Sequence, residues 1–318
     1  MNIKNIDNAQ YSIKHGTYGG MSGLKDGVII DNENWLVKYP KNASYLDKHE
    51  EMSYTNDPVS EYLGSNIYKI LGYPVHDTIL VERRGKIAVA CKDFIDENKG
   101  QRLLEIRTIK NSANEKLAEI LEREFNSTGS THVVELNELL LHLENNDILT
   151  AVDGIKERFF DMLVIDAFIN NSDRNNGNWG IIREPGKKDI LAPVFDNGGS
   201  FNGKTPDSRL QKIMSTKDGI KNSVMGNITA FGKDGHAYSV KKLFELDLDG
   251  INEAILRVVP KIEENMDKII EFINNIPDKA CSNIRKEFYI KSIEARMEYL
   301  LMPLFEKLEC KEEGIEEI

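Results

Sequence analysis

At 318 residues, 40% hydrophobic and 29% charged, the chain is long enough for two lobes with separate cores, and its composition is that of a globular protein rather than a disordered one. A formal net charge of -11 lacks the basic footprint that general nucleic-acid binding needs to displace counterions, so no direct nucleic-acid partner is expected. No apolar run approaches the roughly 18–20 residues that cross a bilayer, and the three dispersed cysteines lack C-x-x-C spacing, which excludes a disulfide framework and leaves no expected membrane association. The opening Met1-Asn2-Ile3-Lys4-Asn5 starts no signal-peptide core; a cytoplasmic location is expected, with secretion as an effector left open.

In chain order, the first feature is the stretch from Tyr11 to Ile30, where Gly16, Gly19, Gly20, Gly23 and Gly27 precede an apolar run. Such a loop is either a surface hairpin or a cradle whose backbone N–H groups approach phosphates without a Cβ in the way. The next strand, Asn34 to Pro40, alternates Trp35, Val37 and Tyr39 with Leu36 and Lys38, so it is half buried and ends at proline. Lys38 is then a snorkelling edge residue or an inward cation aimed at phosphates, and the glycine loop before it favours the second. Asp57-Pro58 marks a helix start with Asp57 as N-cap, and Val59, Leu63, Ile67 and Ile70 give it an apolar stripe ending near Gly72. Glu61 lies off that stripe, either solvated or paired with Lys38 as a kinase requires. Two strands, Asp77–Arg83 and Lys86–Cys91, turn at Arg84-Gly85. The polar exit that follows is the expected lobe boundary, with a hinge at 91–95 that includes Asp93 and Phe94.

Residues 103–125 and 135–149 are expected as helices, and Ile155–Ile169 as a nearly core-buried one that delivers Asp173 just past its end. Asp173, then Asn178 five positions on, then Asp196 after a short hairpin is the spacing of a phosphoryl-transfer centre: Asp173 as base, Asn178 and Asp196 as magnesium ligands. If the hairpin between Trp179 and Phe195 is centred near Lys187, Asn178 and Asp196 stand side by side at its open end, where two oxygens suit magnesium. The alternative is an Asn/Asp-rich loop used for turns and capping. Gly198 to Thr205 matches G-x-x-x-x-G-K-[ST] letter for letter. Yet Pro206 follows at once and no alternating strands and helices come after, which argues against a P-loop. Residues 198–238 are expected as a long loop over a substrate groove. Helices 250–275 and 280–309 follow, with Pro260 and Pro303 as bends and an acidic tail beyond.

Taken together, Tyr18-Gly19-Gly20-Met21-Ser22-Gly23, Trp35 to Pro40, Asp166 to Gly180 and Leu191 to Asp196 resemble the HipA-like serine/threonine kinases. The resemblance implies an α+β, two-lobed protein-kinase-like fold: a β-rich N-lobe over 1–95 and a mostly helical C-lobe over 96–318. It implies ATP and Mg2+ as cofactors and transfer of the γ-phosphate to a Ser/Thr hydroxyl of a protein substrate. By position Asp173 becomes the catalytic base, Asn178 and Asp196 the metal ligands, and Lys38 the phosphate-binding lysine paired with Glu61. Gly19, Gly20, Ser22 and Gly23 become the loop over the nucleotide. Because the chain begins close to that loop, it resembles the compact branch without an extra N-terminal subdomain. A toxin role with an antitoxin partner is an open implication. HipA-type kinases are switched off by phosphorylation within the loop, which makes Ser22 and then Thr17 the autophosphorylation candidates; a phosphate there repels those of ATP. Two alternatives stand beside this reading: a small-molecule or lipid kinase, which need not autophosphorylate, and an inactive nucleotide-binding module.

Overall fold

The computed structural model describes residues 2–18, 24–45, 52–125 and 133–312. Strands β1 (Lys4–Asn5), β2 (Lys25–Ile30) and β3 (Glu33–Lys38) are followed by helix α1 (Asp57–Ile70), then by β4 (Thr78–Arg83) and β5 (Lys86–Lys92). The five strands form one sheet in the order β1-β4-β5-β3-β2. The alternation in β3 has the expected consequence. Trp35, Val37 and Tyr39 turn to one face and pack with Val28, Ile30, Val81, Ala88 and Ala90 in a small outer core. Leu36 and Lys38 take the other face, toward a large cleft. Cys91 and Lys92 stay in β5, opposite Leu36 and Trp35, so the chain leaves the sheet only at Asp93. Helix α1 starts with Asp57 inside its first turn; the preceding Asn56, rather than Asp57, occupies the cap position.

Beyond the sheet come β6 (Arg102–Glu105), α2 (Ile106–Ile109), α3 (Glu115–Glu124), β7 (Val134–Glu135), α4 (Leu136–Asn145), α5 (Asp147–Thr150) and α6 (Ile155–Ile169). The expected single helix over 103–125 is therefore wrong at its start. Leu103 and Leu104 pair with Ile182 and Ile181, and that cross-strand pairing overrides a leucine run that suits a helix equally well. Asn114 reopens the helix by accepting the Leu117 N–H at 2.9 Å. Likewise 135–149 divides at Asn146, whose side chain caps α5.

The hairpin after α6 consists of β8 (Gly180–Arg183) and β9 (Ile190–Leu191), with Ile181 opposite Leu191 and Ile182 opposite Ile190. That register centres on residue 186, not Lys187, and extended to its mouth it sets Asn178 against Val194 rather than Asp196. Regular pairing has ended before either residue, and Asp196 takes a left-handed backbone, φ 59°. The final elements are α7 (Asp207–Ser215), α8 (Gly219–Met225), β10 (Ile228–Lys233), β11 (His236–Ser239), α9 (Val240–Phe244), α10 (Asp249–Asn274), α11 (Asn283–Arg296) and α12 (Met302–Glu312). The expected loop over 198–238 thus holds two helices and a hairpin that pairs with β7. The bend expected at Pro260 does not interrupt α10, and Pro303 sits at the start of α12.

Helix α6 is the axis of the main core. It packs against α10 and α11, and its Phe159 stacks on Trp179 at 5.4 Å. Burying a side chain of that size contributes about 1.5–3 kcal/mol. No helix among the described residues is long and apolar enough to cross a membrane. The tightest backbone approach behind the hairpin is at Gly180, where an added Cβ would lie 2.2 Å from the Leu104 carbonyl oxygen. Gly180→Ala is expected to force β6 and β8 apart and destabilise the protein by about 1–3 kcal/mol. Urea unfolding measures this as a lowered midpoint.

Candidate active site

The cleft beneath the five-stranded sheet is a cavity of about 1510 Å³, lined by Leu36, Lys38, His76, Asp93, Phe94, Asp173, Asn178 and Asp196 among others. At its inner end the Lys38 Nζ donates to Glu61 Oε2 at 2.8 Å and to Asp196 Oδ1 at 2.9 Å. Glu61 is 1% exposed and its second oxygen accepts the Asn197 N–H at 3.0 Å, with His76 Nε2 also 3.0 Å away. Burial opposes the charge on Lys38, but Asp196 and Glu61 outweigh it and hold its pKa well above the ordinary lysine range. Burial likewise opposes ionisation of Glu61, and Lys38 and His76 overcome it, so the carboxyl stays well below its usual range. A lysine reaching out of a strand meets a helix acid and a loop acid at once, so neither Lys38 nor Glu61 is a solvated surface charge.

The loop after α6 is built on one cation. Arg174, 1% exposed, donates through Nε to Asp166 Oδ2 at 2.7 Å and through Nη2 to Asp166 Oδ1 at 3.1 Å. Its Nη1 donates to the Asn178 carbonyl at 2.9 Å and the Phe195 carbonyl at 2.7 Å, and Nη2 also reaches Asn197 Oδ1. One guanidinium thereby closes the hairpin mouth where strand pairing has stopped and carries the spatial association of Asn178 with the Asp196 segment. Asn170 ends α6 in a left-handed conformation, φ 56°, that asparagine tolerates, and turns the chain into the loop. Asp173 is exposed there. Its N–H is held by Asn171 Oδ1 at 3.2 Å, and its carbonyl accepts from the Asn178 amide nitrogen at 2.6 Å.

With its nitrogen spent in that bond, the Asn178 side chain keeps its amide oxygen as the group it can offer a ligand. Asp196 spends only Oδ1 on Lys38, and its side chain is 44% exposed. The donor set left is all oxygen, which fits magnesium with phosphate oxygens and water completing the shell. At the outer rim, the Asp93 carboxylate receives Lys14 at 2.7 Å and the Tyr18 hydroxyl at 3.0 Å, tying the segment before the glycine loop to the linker. The Asp93 N–H is spent on the Asn34 carbonyl and the Ile95 N–H on Asp93 itself, whereas the Phe94 ring packs tilted against Phe195 at 5.7 Å between centroids. Thr17 lines the cavity. Gly19, Gly20, Ser22 and Gly23 lie outside the described residues.

The P-loop look-alike has a packing explanation. An added Cβ on Gly199 would sit 2.7 Å from Asn171 Oδ1, and on Gly203 2.8 Å from Ser60 Oγ, so these glycines let a turn pass between the Asp173 loop and α1. No helix starts within it; α7 begins after Pro206. Residues that sequence reasoning passed over are Arg174, Asn197 and His76, and also Lys25, the register partner of Lys38 on the same face of the sheet. Arg107 is a further one: its guanidinium lies against Gly177, where an added Cβ would meet it at 3.2 Å.

A sheet lysine gripped by a helix glutamate, over a cleft whose far wall carries the acid–amide loop, defines a two-lobed kinase-like protein. The solved structures agree. The Helicobacter pylori proinflammatory kinase CtkA superposes with a TM-score of 0.82 at 26% identity, covering 99% of this chain and 100% of that one. HipA of Shewanella oneidensis, solved with HipB and operator DNA, shares the fold at a TM-score of 0.54 and 13% identity, over 91% of this chain and 67% of that one. In sequence, the serine/threonine-protein kinase CtkA of Helicobacter pylori is 32% identical over 283 residues, 88% of this chain and 81% of the relative. The chain belongs to the family of that kinase. No family model matches it.

Because Arg174 is the shared partner of Asp166, Asn178, Phe195 and Asn197, Arg174→Met is expected to strand the buried Asp166 carboxylate and destabilise the protein by about 3–5 kcal/mol. Urea or thermal unfolding measures the loss, and Asp166→Asn combined with it should restore part of the stability because the stranded charge is then gone.

Proposed function

We propose that this HipA-like serine/threonine kinase uses ATP and Mg2+ and transfers the γ-phosphate to a Ser or Thr hydroxyl, with Lys38, Glu61, Asp173, Asn178 and Asp196 as its working residues. The observation that carries this is Lys38 bonded at once to Glu61 and Asp196 inside a cavity that also opens onto Asp173 and Asn178. Lys38 holds the phosphate chain, and Glu61 fixes the lysine so that no rotamer search is needed when nucleotide arrives. Asp173, exposed at the tip of a loop whose base is locked by Arg174, orients the acceptor hydroxyl and takes its proton as the oxygen attacks phosphorus. Asn178 and Asp196 would hold Mg2+ through their unspent oxygens; bound there, the ion neutralises charge on the phosphate oxygens. The lobes divide in this reading at the linker beginning with Asp93. The Phe94 N–H, which has no acceptor among the described residues, faces the adenine edge. A cavity of about 1510 Å³ exceeds the roughly 300–1,000 Å³ of a small-molecule pocket and leaves room for a protein segment beside the nucleotide.

A protein substrate follows from the family. For an antitoxin the support is the fold shared with the Shewanella protein alone. Thr17, on the cavity wall, and Ser22 are the proposed autophosphorylation positions, and phosphate on either places negative charge where ATP must put its own. Incubation with γ-labelled ATP and Mg2+ should label the wild type on Ser or Thr. Asp173→Asn should lower the rate by about 10²–10⁴-fold, the worth of a general base, while binding ATP normally. Label on wild type and Asp173→Asn at equal rates would overturn the role of Asp173. No transfer to the chain or to any generic protein, with transfer to a small alcohol or lipid instead, would overturn protein phosphorylation.

A further inference from the structure

Cys91 lines the cleft near Lys38, and phosphoryl transfer gives it no task. It is buried on β5 opposite Leu36, and so on the cleft face of the sheet. Its Sγ, a His76 ring nitrogen and a Glu61 carboxylate oxygen all lie within 4.8 Å of one another. They come from three separate elements: β5, the connection before β4, and α1. Both Cys91 and His76 line the cavity, which gives an ion a way in. Sulfur, imidazole nitrogen and carboxylate oxygen together form a donor set for zinc, which takes three protein ligands and leaves a fourth position for water. Magnesium selects oxygen alone and does not compete for such a set.

We propose that Cys91, His76 and Glu61 form a binding site for a divalent ion of the zinc class, and that filling it stops phosphoryl transfer by drawing Glu61 away from Lys38. The ligation balances without redox chemistry. The Cys91 S–H bond breaks, the sulfur keeps the electron pair and shares it with the metal, and the proton leaves through the cavity. His76 contributes a ring-nitrogen lone pair, so its proton sits on the other nitrogen, and Glu61 contributes one oxygen. Burial pushes the Cys91 thiol up and keeps it protonated without metal, so binding tightens as pH rises. A dication that displaces one proton adds one net positive charge beside Lys38. That charge repels the lysine from the acid that positions it. The inhibitory consequence rests on the kinase reading above; the binding does not.

The test uses the full chain and Co2+ as a spectroscopic stand-in, with Cys91→Ser as a near-isosteric variant and Cys281→Ser as a control at the other buried thiol. Wild type and Cys281→Ser are expected to bind one Co2+ with a thiolate-to-metal charge-transfer band that Zn2+ abolishes. Cys91→Ser should lose the band and about tenfold or more in Zn2+ affinity. With saturating ATP and Mg2+, Zn2+ should then suppress transfer by wild type, and leave Cys91→Ser at its own zinc-free rate. Absence of the band in folded wild type overturns the site even if the chain proves inactive as a kinase. Zinc inhibition of equal strength in Cys91→Ser overturns the link between the site and activity.

Discussion

A buried guanidinium is the constraint on which the rest of this structure depends. Arg174 sits 1% exposed between a helix, a loop and a hairpin mouth, and it donates to Asp166, the Asn178 and Phe195 carbonyls and Asn197. Burying a cation is costly unless every direction is answered, and here each one is. Burial opposes the charge, but Asp166 and Tyr68 more than offset it, so Arg174 stays protonated at any pH the fold survives. The arrangement therefore contributes geometry more than net stability. It holds the Asp173 loop and the Asp196 segment at one spacing where the β8–β9 ladder has run out.

The same hub reaches the sheet side of the cleft through two routes. Asn197, gripped by Arg174 through its side-chain oxygen, gives its N–H to Glu61 and its amide nitrogen to Ser65 at 2.9 Å. Asp166, gripped by the same cation, accepts from the Tyr68 hydroxyl at 2.9 Å. Glu61, Ser65 and Tyr68 all lie on α1, one turn apart, so the helix that presents the acid to Lys38 is bolted to the loop that presents Asp173. A parallel bridge between Val75 and Val194 adds a backbone link beside it. Positions on both walls of the cleft are thus set by one connected network rather than by separate loops.

Much of this was legible in the sequence because it rests on local periodicity. The β3 alternation placed Lys38 on the cleft face, the apolar run defined α6 from Ile155 to Ile169, and the Asp173–Asn178–Asp196 spacing survived into a shared cavity. What was not legible depends on partners distant in the chain. The strand at Leu103–Leu104 exists because Ile181 and Ile182 pair with it, and a leucine run carries no mark of that. The hairpin register was one residue off, and the count that paired Asn178 with Asp196 stood on it; Arg174 supplies the proximity instead. One signal was present and unused. Asp161 and Asp166 interrupt the apolar run from Phe159 to Ile169, and buried acids require cations, here Arg257 and Arg174. The P-loop look-alike shows the converse, since its glycines answer to packing against Asn171 and Ser60.

The central claim is that Lys38 and Glu61 act as one unit at the head of a phosphoryl-transfer site. A double-mutant cycle on kcat/KM for labelled phosphate transfer, using Lys38→Met, Glu61→Gln and the pair together, tests it most directly. The account predicts that the double variant is no slower than Lys38→Met alone, because Glu61 works only through the lysine. Losses that simply add would contradict it.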